Sequence, residues 1–146
     1  MVELFGHGWS HMKNILVSVV AGIALVGCNS AGSIPSTTAN LSALNVAMKW
    51  CAGSPEFSVR GVPSATRTLN FRMIDKIAPQ FQHGGGSIPV TGSSTVMVPC
   101  GSLSGGSYVG PNPPPPRVHE YEWTVTALDS GGKALAAGQI VKKFPE

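Results

Sequence analysis

Between residues 118 and 128 the chain alternates without a break: His119, Tyr121, Trp123, Val125 and Ala127 share one parity, and Glu120, Glu122, Thr124 and Thr126 the other. Successive side chains of an extended strand point to opposite faces, so this two-residue period calls for a strand with one buried face. The buried parity is polar at its start and apolar from Trp123 onward. An inward-facing polar pair at a strand's mouth suggests a small pocket. Residues 68–75 repeat the pattern, with Leu69, Phe71 and Met73 on one face and Asn70 and Arg72 on the other. Asp75 continues the apolar parity. An unpaired buried carboxylate is expensive, so Asp75 is expected to be either a pocket group or a turn-former.

The remaining chain fits the same class. Eighteen glycines and 12 prolines, with only 12% charged residues, favour a mainly β domain with many turns. Weak alternation over 41–50 predicts a first strand. Residues 54–59 lead through the Gly61-Val62-Pro63 turn to 68–75; 96–98 make a short strand; 134–141 make the last one. Residues 78–95 read as loop. The string His83-Gly84-Gly85-Gly86 resembles the oxyanion loop of lipases, but that reading needs a Gly-x-Ser-x-Gly elbow, and 101–105 place Leu103 at its centre. The glycines are therefore expected to form a tight loop or to let the backbone approach a ligand. The run 113–116 is all proline, predicting a rigid polyproline wall.

A formal charge of +3, with Lys142-Lys143 as the densest basic group, excludes an electrostatic nucleic-acid binder. No activated nucleophile is visible, and His83 and His119, the two histidines beyond the signal segment, have no His-x-x-x-His spacing to suggest a metal, so an enzyme is not expected. Nor is a cofactor.

The N-terminal part carries a different signal. Lys13 precedes the apolar run 15–26, too short for a spanning helix, which ends Leu25-Val26-Gly27-Cys28. That ending resembles the bacterial lipoprotein lipobox, which implies acylation of Cys28, membrane attachment and removal of residues 1–27. Met12 is the expected start of this signal. Asn29, by analogy with lipoprotein sorting, implies the outer membrane, facing the periplasm. Residues 28–40 are small and polar, the composition of a flexible tether, leaving 41–146 as the folded domain. Once Cys28 is set aside, Cys51 and Cys100 form an even pair in an oxidising compartment, and a disulfide is expected. A redox or metal pair is the competing reading, without CxxC spacing behind it.

Three segments resemble the phosphatidylethanolamine-binding protein (PEBP) family, in its small bacterial branch: 54–63, beginning Ser54-Pro55-Glu56-Phe57; 73–79, Met73-Ile74-Asp75-Lys76-Ile77-Ala78-Pro79; and 110–129, from Gly110-Pro111-Asn112 through His119-Glu120-Tyr121 to Asp129. The resemblance implies a β-sandwich with a central antiparallel sheet, little helix, and a cavity for phosphate-like anions or phospholipid head groups. It matches Asp75 to the first aspartate of the family's Asp-Pro-Asp-x-Pro loop. It matches His119 and Tyr121 to its Gly-x-His-Arg strand, and His83 to the histidine between the two motifs. Lys76, Ile77 and Glu120 depart from those motifs, and the chain stops at Glu146 without the C-terminal helix of longer members, which together imply a more open pocket. The expected binding set is Asp75, His83, His119 and Tyr121. A protonated histidine can donate two hydrogen bonds to an anion, a tyrosine one, and an aspartate can orient a histidine. The alternative is an interaction protein that inhibits an envelope enzyme, with the proline and His-Gly-Gly-Gly loops as its contact surface. The chain alone leaves monomer and homodimer open.

Overall fold

A computed structural model describes residues 41–103 and 107–146. The expected signal segment 1–27, the expected tether 28–40 with Cys28, and residues 104–106 lie outside the described residues.

The fold is mainly β, with no helix among the described residues. Its centre is the pair predicted by alternation: β4 (Thr68–Asp75) and β7 (His119–Leu128), antiparallel along their length. Their register sets Leu69 opposite Ala127, Phe71 opposite Val125, Met73 opposite Trp123 and Asp75 opposite Tyr121. The two apolar parities therefore land on one face, and all eight of these residues are buried. β8 (Ala134–Phe144) covers the other side of β7 and runs three residues beyond the expected 134–141. The five-stranded sheet is completed by β1 (Ser42–Ala43), parallel to β8, and β5 (Gly85–Pro89), antiparallel to β4.

A second sheet orders β2 (Asn45–Lys49), β3 (Glu56–Arg60) and β6 (Thr95–Val98), all antiparallel, with β3 central. Its Phe57 and Val59 are fully buried. Phe57 meets Phe71 at 4.8 Å and Trp123 edge-on at 5.0 Å between ring centroids, so the core is the layer between the two sheets. Truncating one of these aromatics to alanine costs about 3–5 kcal/mol in comparable cores.

Two expectations are corrected. The single strand over 41–50 is two strands in different sheets, because the chain crosses between layers at Leu44, whose N–H donates to the Ala137 carbonyl at 2.9 Å. The crossing passes over Gly138, where any Cβ would meet the Leu44 carbonyl and the Val46 methyl. The segment 78–95 is not all loop, since β5 lies within it. Gly85 has φ +157°, and a Cβ there would collide with the Phe71 carbonyl. Gly85 thus lets β5 approach β4, while a Cβ at Gly84 would meet Ser107 and one at Gly86 would meet Leu103.

The expected Cys51–Cys100 disulfide is present, with Cα atoms 6.0 Å apart. It joins the chain just after β2 to the chain just after β6, the two edges of the smaller sheet. Between them Ser54 accepts from the Gly101 N–H at 2.8 Å and, through Oγ, from the Leu103 N–H at 2.9 Å.

Candidate functional site

Because β4 and β7 are antiparallel, the last residue of one lies beside the first residues of the other, at one end of the sheet. Asp75 and His119 meet there. Both are buried, Asp75 at 4% and His119 at 9% exposure. Asp75 does both things its parity left open. Its Oδ1 accepts from the N–H groups of Ile77 (2.8 Å) and Ala78 (3.3 Å), forming the turn. Its Oδ2 lies 2.7 Å from His119 Nδ1. Burial opposes ionisation of Asp75, but the His119 hydrogen bond and charge and the two backbone donors outweigh it, holding the carboxyl below its usual 3.8. An ionised carboxylate can only accept, so His119 Nδ1 carries the proton. Its Nε2 is then the free end of the ring, and it is buried with no partner.

His83 is arranged in the same sense from a different element. Its Nδ1 lies 2.8 Å from the Val109 carbonyl and donates to it, while the Val109 N–H donates back to the His83 carbonyl at 2.8 Å. Again Nε2 is the end left over. Tyr121 sits between the two histidines, edge-on to His83 at 5.3 Å and roughly parallel to His119 at 6.2 Å. Burial, followed by the Asp75 charge, pushes its hydroxyl up to about 12.

These four side chains share one cavity of about 350 Å³. Its other walls are largely apolar: Ala78, Phe81, Val109, Pro113 and Pro114, with Gly110 and Asn112. The proline run thus supplies a wall, as its composition predicted. Phe81, half exposed with its ring 4.6 Å from that of His83, and Val109 were not anticipated. Neither lies in an alternating run, and the pairing of 109 with 83 is set only by the tertiary fold. Tyr108 is absent from this lining and packs on the fully buried Trp123 at 5.7 Å.

Among the described residues, no serine, threonine or cysteine lines the cavity, nor any lysine or arginine. Among the described residues no three His, Cys, Asp or Glu side chains are grouped so as to hold a metal ion. What the cavity offers is two imidazole nitrogens and a phenol at the base of an apolar funnel.

The chain's only tyrosines, Tyr108 and Tyr121, provide a check on this burial. Burial also pushes Tyr108 up to about 12. For both groups the folded value lies above the ordinary 10, so the folded state retains protons that the unfolded state loses. Stability therefore falls as pH rises between these values. Tyrosinate absorbance is expected to stay near zero at pH 10 and to appear towards 12. A half-titrated signal at 10 would contradict the buried hydroxyls.

Protein-family models, curated proteins and solved structures yield no match to this chain.

Proposed function

We propose that the protein is a lipid-anchored envelope binding module of the PEBP kind, whose cavity takes a phosphate-like anion or a phospholipid head group. The observation that carries this reading is the Asp75–His119 pair, which leaves a buried, unpartnered Nε2 on the cavity. A buried polar atom without a partner needs an explanation. An oxyanion facing a protonated His119 supplies one: Nε2–H donates to the ligand while Asp75 balances the imidazolium through Nδ1. His83 and Tyr121 stand where further donors are useful.

Phosphate or phosphoethanolamine is expected to shift the imidazole NMR signals of both His83 and His119, and His119→Ala to weaken binding by about 10-fold to 100-fold, the loss of one charged hydrogen bond. Unmoved imidazole signals at millimolar phosphate would sink the reading. The anchor has its own test: Cys28→Ser is expected to move the protein from the membrane to the soluble fraction, and unchanged fractionation would refute it.

One observation favours the inhibitor reading as the alternative. Two exposed apolar residues line the cavity, Phe81 at 51% and Val109 at 48% exposure, and two more, Ile77 at 66% and Val118 at 52%, adjoin the lining residues Ala78 and His119 in the chain. If these residues dock a protein, an envelope partner is captured equally well by wild type and by His119→Ala.

A further inference from the structure

The charge inventory of the cavity restricts its ligand more narrowly than the word anion does. Among the described residues, its only ionisable lining groups are Asp75, His83, His119 and Tyr121. Tyr121 is neutral at any physiological pH, and Asp75 is a carboxylate. The most positive state the lining can reach is therefore two imidazoliums less one carboxylate, a net charge of +1. In that state a monoanion is balanced and a dianion is not; with His119 alone protonated the lining is neutral, and a monoanion leaves half the surplus charge of a dianion, a difference that counts in a partly dry site.

No neighbouring strand changes this count. On β8, Phe144 lies opposite His119, Lys143 opposite the exposed Glu120, and Lys142 opposite Tyr121. Lys142 is turned to Glu146 at 3.5 Å. Lys76 and Arg117 are exposed and outside the lining.

Size and wall chemistry add a second restriction. About 350 Å³ falls in the range of small organic ligands and is several times what a bare oxyanion fills. Phe81, Val109, Pro113 and Pro114 would face any surplus volume with carbon.

We infer that the cavity selects a singly charged organic oxyanion, an ester-type monoanion with an apolar substituent against Phe81 and Val109, and that it is bound together with one proton on His119 Nε2. The inference rests on the anion-binding reading above and specifies its ligand class. The proton is required by the geometry: with Nδ1 committed to Asp75, a neutral ring presents a lone pair at Nε2, which repels an oxyanion. Only the protonated ring can donate there.

Sulfate, methyl sulfate and phenyl sulfate test this on the full chain, because their charges stay fixed across neutral pH. Calorimetric affinities are expected to rise in that order, with methyl sulfate at least tenfold tighter than sulfate and phenyl sulfate roughly tenfold tighter again from the added apolar contact. Raising the pH is expected to weaken phenyl sulfate by up to about tenfold per unit, through linkage to the bound proton. His119→Gln would bind more weakly and lose most of that pH dependence. Phe81→Ala would narrow the ratio of phenyl to methyl sulfate.

Sulfate binding as tightly as methyl sulfate would overturn the charge class. A phenyl-to-methyl ratio near one would overturn the apolar substituent, and pH-independent affinity the bound proton. In all three cases anion binding itself would stand. Absence of binding by all three probes and by phosphate would remove the anion-binding reading and this inference together.

Discussion

Replacing both Cys51 and Cys100 by serine is expected to lower the unfolding free energy by about 4 kcal/mol, the chain-entropy value for a bridge across 49 residues. For a domain of this size that is on the order of 20 °C in Tm. The site of the bridge explains why so much is at stake. It ties both edge strands of the smaller sheet, β2 and β6, whose only sheet partner is β3. Without it, the Ser54 contacts to Gly101 and Leu103 must hold the same two segments alone. Reversible denaturation of wild type and the double serine variant measures the difference. A loss below about 1 kcal/mol would mean that the unfolded chain is already compact, or that these edges are held by packing.

Asp75→Ala is expected to cost about 3 kcal/mol at neutral pH, with anion binding lost beside it. The substitution removes the acceptor of three donors at once: His119 Nδ1, the Ile77 N–H and the Ala78 N–H. Leaving the buried His119 donor unmatched costs more than the net worth of its bond, and the two partly buried backbone donors add to the loss. The pH dependence follows from the lowered Asp75 value. The unfolded chain takes up the proton near 3.8, while the folded chain resists it to lower pH, so stability rises with pH across that interval. The contribution is fully present above the ordinary carboxylate range and disappears as pH falls through the lowered folded value. The gap between wild type and Asp75→Ala should therefore be widest near neutrality and should close in acid. Asp75→Asn separates charge from shape, since its amide oxygen can still accept in the turn but carries no charge to balance an imidazolium. A gap that does not change with pH would argue that Asp75 acts as a turn-former alone.

Much of this site was legible in the linear chain. The parity that put Asp75 on the apolar face of β4 and His119 and Tyr121 on that of β7 is a local property of extended backbone. It needs no knowledge of what packs against it. The cysteine pair was legible for a similar reason, since only two candidates remain once Cys28 is set aside. The His-Gly-Gly-Gly string was less legible. Its glycines suggested a loop because glycine is permissive, yet Gly85 and Gly86 begin an edge strand, and the close approach of Gly85 to Phe71 admits no side chain. Composition records permissiveness and cannot say which close approach requires it.

The alternation of 68–75 and 118–128 by itself determined two strands, their buried faces and a polar end on each. Which way each imidazole faces was decided only in three dimensions. Asp75 takes the His119 proton-bearing nitrogen from across the sheet, and the Val109 carbonyl takes that of His83 from 26 residues away. The crossing at Leu44, the β5 edge and the Phe81–Val109 wall belong to the same group. Side-chain parity is a local consequence of backbone geometry, whereas sheet membership and hydrogen-bond partners depend on contacts between distant segments, which form only when the core between the two sheets closes.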